Sequence, residues 1–193
     1  MAINNLASGF RPGVCTSSTR PTTPYEGQMI YETDTDMVAI WNGSAWRYIA
    51  ATTPTNGTVL QVVTGETSTL VSNATSTYAD TGLTATITPK SSSSKIAVMV
   101  SQPGGKTNEN AENRLQVKLM RGSTDLITSG DLIGYTATAI FNIGTVSMFY
   151  LDSPATTSAT TYKTQFRNPN NTATVRVQYG GGTSTIVLME IAG

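Results

Sequence analysis

Hydrophobic and polar residues alternate along several short stretches of the C-terminal part of the chain. Leu115, Val117 and Leu119 alternate with polar neighbours, and the same pattern recurs at 160–167 and 173–179. A period of two places the apolar side chains on one face of a β-strand and the polar ones on the other. No stretch sustains helical spacing over three turns, so the pattern predicts an all-β protein.

Two further stretches, 96–100 and 186–191, are almost continuously apolar. Strands of this kind are covered on both faces, because neither face offers polar side chains to water. One cover is the opposite sheet. Since no helix is predicted, we expect a partner subunit to cover the second face, with the 186–191 strand at the subunit interface.

Turn clusters rich in Gly, Asn, Ser and Thr separate these strands at the spacing of an antiparallel β-sandwich. We therefore predict a jelly-roll-like β-sandwich over 58–193. Its strands are expected near 58–64, 67–73, 83–88, 95–101, 113–121, 124–128, 137–151, 160–167, 173–179 and 184–191.

Residues 25–57 predict a small β-meander and a linker. Strands are expected at 28–31, 37–41 and 45–49, with a turn at 33–36 and a hairpin at Asn42-Gly43, where both residues tolerate positive φ. About 25 residues cannot bury a stable core alone. The aromatic residues of this module must therefore pack against something else, and copies of the same unit are the simplest partner. Stacking of sugars is the alternative that we weighed for Trp41, Trp46, Tyr31 and Tyr48.

Residues 1–24 predict an extended arm. They contain Pro12, Pro21 and Pro24 and show no sustained period. Such a segment cannot bury its own backbone, so any order must come from neighbouring surfaces.

Composition excludes several classes of function. Charged residues make up 12% of the 193 residues, with a formal net charge of zero, while the chain holds 34 Thr and 18 Ser. A neutral chain without a basic run does not hold nucleic acid by neutralising phosphates. Its apolar runs are too short to insert into a membrane, and the N-terminus lacks a signal-peptide pattern, so we expect a soluble protein. The absence of His removes imidazole chemistry, and the single Cys excludes an intrachain disulfide framework and thiolate zinc clusters. We predict no catalytic residues, no metal and no cofactor.

Acidic residues were weighed as sites. Glu32, Asp34 and Asp36 alternate near a turn and resemble calcium ligands, but a turn capped by its own side chains is favoured. Asp125, Asp131 and Asp152 fall in separate predicted turns, and nothing in their spacing pairs them as acid and base.

Glycine runs and the cysteine were weighed in the same way. Gly180-Gly181-Gly182 and Pro103-Gly104-Gly105 predict hairpin turns rather than phosphate loops. Cys15 is interpreted as a plain small residue, although Arg11 and Arg20 lie near it in sequence and would lower the pKa of a reactive thiol.

Specific motifs resemble modules of tailed-bacteriophage virion proteins. The first runs from Arg20-Pro21 through Gly27-Gln28 and Tyr31-Glu32-Thr33-Asp34 to Trp41-Asn42-Gly43-Ser44-Ala45-Trp46. The C-terminal part resembles domains of the same proteins in four segments, 78–89, 119–123, 152–154 and 186–191. The resemblance covers about 20–193, and no internal repeat or long fibre shaft is present.

The resemblance implies a jelly roll of the tumour-necrosis-factor-like type, which forms trimers. It implies a homotrimeric capsid decoration, or cement, protein on the outer surface of a phage particle assembled in the bacterial cytoplasm. Expected partners are further copies of the chain and the major capsid protein or another virion protein. The alternative is a short tail fibre or receptor-binding tip that adsorbs to a host surface glycan or protein through loops such as 101–112 and 153–160. The residues expected to anchor or assemble the protein are Arg11, Arg20, Tyr25, Tyr31, Trp41 and Trp46.

Overall fold

The computed structural model describes residues 12–49, 54–106, 114–130, 144–170 and 174–193. The chain divides into two compact units, Met1–Thr53 and Pro54–Gly193. Within the described residues the regular structure consists of β-strands and one 3₁₀ turn, Tyr179–Gly181, which confirms the all-β prediction. These ranges contain no helix long and apolar enough to cross a membrane.

The strands follow one another at short intervals. In the first unit they are β1 (Gly13–Cys15), β2 (Met29–Glu32), β3 (Met37–Trp41) and β4 (Trp46–Ile49). In the second unit they are β5 (Val59–Thr67), β6 (Val71–Asn73), β7 (Ala79–Ile87), β8 (Lys95–Lys106), β9 (Gln116–Arg121), β10 (Thr124–Thr128), β11 (Thr145–Asp152), β12 (Thr160–Arg167), β13 (Val175–Val177) and β14 (Ser184–Ile191).

The first unit is a four-stranded sheet in the order β1-β2-β3-β4, which we call the N-terminal sheet. Strands β2, β3 and β4 are antiparallel neighbours, as the meander pattern predicts. Strand β1 lies in the segment predicted to be irregular, and it pairs in parallel with β2, with Cys15 opposite Glu32. A strand of three residues is too short to show a period of two in the sequence. This strand forms because it pairs with the edge of β2.

The second unit consists of two sheets. Sheet I has the order β10-β9-β12-β7. In sheet II, β14 pairs with the first half of β8 and β13 pairs with its last residues on the same side, so β13 and β14 form one interrupted strand. Strands β5 and β6 pair with β14 and β13 in the same manner, and β11 covers the other side of β8.

This connectivity is a jelly roll. Counting β5/β6 and β13/β14 as single strands gives eight strands, numbered one to eight along the chain. Sheet II then has the order 1-8-3-6 and sheet I the order 2-7-4-5. Two four-stranded antiparallel sheets with these long crossing connections define the double Greek key. The predicted β-sandwich is confirmed.

Both predicted glycine hairpins are wrong. Gly180-Gly181-Gly182 lies in the bulge that interrupts β13/β14, because Gln178 N donates to Pro103 O and keeps the two parts on the same side of β8. Pro103-Gly104-Gly105 continues β8 as a strand. A Cβ at Gly104 would overlap the side chain of Leu115, so glycine here makes room for the core rather than for a turn.

The core fills the space between sheets I and II. Its largest buried side chains are Tyr162 and Phe166 from sheet I and Ile96, Ile186 and Leu188 from sheet II. At one edge β5 of sheet II crosses close to β7 of sheet I, and a Cβ at Gly65 would overlap the carbonyl of Thr84. Glycine therefore permits the two sheets to approach closely at this edge.

Candidate assembly surfaces

One face of the N-terminal sheet is closed by its own chain. Glu32 is fully buried and accepts a charge-assisted hydrogen bond from Nε of Arg20. Tyr48 Oη donates to Glu32 Oε2 at 3.0 Å, and Arg20 Nη2 contacts Tyr48 Oη at 2.7 Å. The Arg20 hydrogen bond holds the pKa of Glu32 below its usual range. Arg20, expected from sequence to contact a partner, therefore also stabilises its own sheet.

The two tryptophans lie on the same closed face. Trp41 and Trp46 are opposite each other on β3 and β4, and their rings pack edge to face with centroids 5.6 Å apart. Both are half-buried, and sugar stacking on their rings stays an untested alternative. Their assignment as assembly residues stays a prediction.

The other face of this sheet is open and mostly apolar. Side chains alternate along each strand, so those next to Glu32, Ala39 and Tyr48 point away from the closed face. Register places four of them in one row across all four strands, and a second row lies beside it. We call this set the open face: Val14, Tyr31, Val38 and Ile49, then Met29, Ile40 and Arg47.

Two observations show how exposed the open face is. Val14 is 51% exposed and Ile49 is 54% exposed, at opposite edges of the sheet. Pro12, Val14, Tyr31, Thr33 and Val38 line a shallow hollow of about 490 Å³. Of the other predicted anchoring residues, Tyr25 is 68% exposed, and Arg11 lies outside the described residues.

The carboxylates near the turn at 33–36 each have a different partner. Glu32 binds Arg20, Asp34 accepts from Ser17 N at 2.9 Å, and Asp36 accepts from the hydroxyl of Tyr31. The Ser17 hydrogen bonds lower the pKa of Asp34. Among the described residues no three His, Cys, Asp or Glu side chains group together as metal ligands.

Cys15 has a less reactive environment than its sequence neighbours suggested. Burial, followed by the negative charge of Glu32, raises the pKa of the Cys15 thiol, and these effects outweigh the positive charge of Arg20. The thiol is half-buried and unpaired. These effects disfavour the activated thiolate that was the alternative for Cys15.

The outer face of sheet II is the larger apolar surface. Phe149, Met99 and Val187 are neighbours in one row across β11, β8 and β14. The next row is Leu151, Ala97, Met189 and Val62, which crosses all four strands. Phe149 is 62% exposed and Val62 is 55% exposed. We call this surface the apolar face.

The outer face of sheet I has the opposite character. Lys163 Nζ lies 2.9 Å from an oxygen of Asp80, and Gln165 donates to the same carboxylate at 2.8 Å. The hydrogen bond from Lys163 is the main reason that the pKa of Asp80 is lowered. Lys118 pairs with Asp125 at 2.9 Å on the same face. Polar groups here bind one another, and we call this surface the polar face.

A partly buried ion pair joins the two sheets, with the Arg121 side chain 28% and the Asp152 side chain 7% exposed. Asp152 of sheet II accepts from Arg121 Nη1 at 2.8 Å and from Tyr162 Oη at 2.6 Å, both in sheet I. Burial, and then the Asp152 hydrogen bond, raise the pKa of Tyr162 above its usual range. Asp152 and Asp125 therefore have separate structural partners, and Asp131 lies outside the described residues.

The sequence did not single out the open face. Val14 and Ile49 lie on strands of three and four residues, where alternation is too short to detect. In contrast, the continuous runs 96–100 and 186–191 pointed directly to the apolar face.

Comparison with known proteins identifies no relative by sequence: no family model matches the chain, and no curated protein matches it. The crystal structure of the infectious bursal disease virus VP2 subviral particle is similar in part, with 12% sequence identity and a TM-score of 0.39. The match covers 90% of this chain and 46% of that chain, so the present chain spans about half of the other.

Proposed function

We propose that the protein is a structural component of a tailed-phage particle, namely a homotrimeric decoration protein on the outer surface of the head. Its N-terminal part binds the major capsid protein or another shell protein, and its jelly roll is displayed outward. The observation that carries the proposal is the apolar face of sheet II. That face presents Phe149, Leu151, Val187, Met189 and Val62 to water on a fold whose opposite face carries paired charges.

The apolar face supports assembly because water disfavours it. Complete burial of a side chain such as Val62 or Phe149 contributes about 1.5–3 kcal/mol. Large contiguous apolar patches on soluble proteins mark interaction sites. The core covers one side of both apolar runs, 96–100 and 186–191. Association of three copies through the apolar face would cover the other side.

Shell stabilisation follows from mass action. A protein that binds only the assembled shell shifts the equilibrium away from disassembly. Three linked N-terminal parts convert weak single contacts into strong attachment. The exposed ring of Tyr25 and the N-terminal arm are the groups that we assign to the shell contact, in line with the phage-like motif that begins at Arg20.

A short tail fibre or receptor-binding tip is the second candidate. The loop 153–159 favours it, because this loop is exposed, uncharged and rich in hydroxyl side chains, which suit hydrogen bonding to a host glycan. The other loop assigned to this role, 101–112, is a strand as far as Lys106, and the rest lies outside the described residues.

The copy number per particle separates the two candidates. Quantitative mass spectrometry of purified particles that carry the chain, with the major capsid protein as internal reference, measures it directly. A decoration protein is expected in hundreds of copies. A few tens of copies or fewer would contradict the decoration proposal and favour the tail tip.

A stability measurement tests the mechanism itself. Particles prepared without the protein are expected to open at a lower temperature, and adding the purified full chain is expected to restore the original value. If the added chain binds at full copy number but the opening temperature stays low, shell stabilisation is contradicted as its function.

A further inference from the structure

The open face of the N-terminal sheet is a second uncovered surface, separate from the apolar face of the jelly roll. The opposite side of the same sheet is closed by the Arg20–Glu32–Tyr48 network and the Trp41–Trp46 pair. On the open face, Val14 and Ile49 at the two edges are exposed, and the apolar side chains between them are half-buried. A sheet with one exposed apolar face is stable only when another layer packs on it.

Two opposite charges flank the apolar rows of this face. Asp36 lies beyond one end of the rows, where the hydroxyl of Tyr31 donates to its carboxylate. Arg47 belongs to the second row, next to Ile40 on the neighbouring strand. Neither Asp36 nor Arg47 forms an ion pair with another described residue.

We propose that the open face binds the open face of a second copy of this chain, with Asp36 of one copy opposite Arg47 of the other. The inference rests on the self-association in the proposed function and adds a contact to it. A patch with an acid at one end, a base at the other and apolar rows between them is complementary to itself when one copy is turned around. Two sheets stacked about 10 Å apart leave room for such charged side chains to meet at the rim.

The size of the open face argues that this contact acts together with another. Four strands at about 4.8 Å and four residues at about 3.3 Å cover on the order of 250 Å². A stable interface buries about 800 Å² per partner. A contact between two identical faces is related by a twofold axis, so it joins chains of two different trimers rather than chains within one trimer. Each trimer formed through sheet II carries three open faces, so several weak contacts act together.

Chemical cross-linking tests the geometry in the full chain. Cys15→Ser removes the natural thiol, and Asp36→Cys with Arg47→Cys then places one thiol at each end of the open face. A short bis-maleimide is expected to join chains covalently in this variant. The controls carry Asp36→Cys alone, or Asp36→Cys with Thr157→Cys, which lies in an exposed loop of the jelly roll. Neither control is expected to yield cross-linked chains.

Charge reversal provides a second test that does not depend on cysteine. Asp36→Lys and Arg47→Glu are each expected to weaken self-association about tenfold, which corresponds to about 1.4 kcal/mol. The variant with both substitutions is expected to recover the original dissociation constant to within about threefold, because the pair is restored with its signs exchanged.

The outcomes separate this inference from the proposed function. The inference is overturned if the original chain self-associates but the double-cysteine variant does not cross-link and the double charge reversal does not recover. The proposed homotrimer then still stands. A monomeric original chain would overturn both. If the single reversals reduce binding to particles and leave self-association unchanged, the open face binds a shell protein and the inference is wrong.

Discussion

The two outer faces of the jelly roll each cross four strands, counting β5/β6 and β13/β14 as single strands, yet they differ in chemistry. Sheet I presents Asp80, Lys163, Lys118 and Asp125 in pairs that neutralise each other. Sheet II presents an uncharged surface from Val62 across to Phe149. The comparison teaches that the fold needs only one apolar face per sheet, the one in the core. Folding does not require the second apolar face of sheet II, and we propose that assembly does.

The strongest test of this difference uses the two sides of β14. Leu188 is fully buried in the core, and its neighbour Met189 points to the apolar face. Leu188→Ala is expected to lower the free energy of unfolding by about 2–5 kcal/mol because it leaves a cavity. Met189→Ala is expected to change it by under about 1 kcal/mol in the separated subunit and to weaken association instead. Denaturant unfolding at low and high protein concentration measures both effects.

Ion pairs provide the next contrast, between the sandwich interior and the polar face. Asp152→Asn leaves Arg121 without its carboxylate between the sheets and is expected to destabilise the fold by about 3–5 kcal/mol. Asp125→Asn removes an exposed partner of Lys118 and is expected to change the free energy of unfolding by under about 1 kcal/mol. Equal losses in thermal or denaturant unfolding would contradict the distinction.

The acid sensitivity of the fold provides a further test at Glu190, near the end of β14 in sheet II. Burial alone raises the pKa of Glu190, but hydrogen bonds from Gln61 Nε2 and from Lys90 N outweigh it and hold the pKa below its ordinary value of 4.5. The charged form is thus favoured by folding. The contribution of ionised Glu190 to the free energy of unfolding is present at neutral pH. It is lost as the pH falls through the pKa of Glu190 in the folded state. Glu190→Gln is expected to flatten this acid-side loss in the pH dependence of unfolding.

The smallest effect is expected on the polar face. Lys163→Ala breaks the contact with Asp80 at a partly exposed site, so we expect a loss below about 1 kcal/mol and no change in oligomeric state. A change in oligomeric state on this substitution would show that sheet I also takes part in assembly.

The sequence predicted most of the fold because the strands carry strong local patterns. Alternation placed β9 and β12 close to their observed bounds, and the continuous apolar run 186–191 did the same for β14. The glycine runs misled because glycine serves two purposes. At Gly104 it makes room for Leu115, and local sequence does not distinguish that close approach from a turn.

The assembly surfaces were only partly predictable, for a different reason. The apolar face followed from two continuous apolar runs. The open face depends on the register of β1 against β2, and the Arg20–Glu32 network joins residues twelve positions apart without a periodic signal. Contacts of this kind arise from tertiary pairing, which a single sequence does not encode as a pattern.

We propose that the apolar face of sheet II assembles copies of this chain. Val62→Asp and Phe149→Asp place charges at exposed positions on its two edge strands, and Thr86→Asp is the matched change on the edge strand of sheet I. Sedimentation velocity of the full chain measures the result. We expect trimers for the original chain and for the Thr86→Asp variant. We expect folded monomers for the variant that combines Val62→Asp with Phe149→Asp. Trimers that persist in the combined variant, or an original chain that is monomeric, would contradict it.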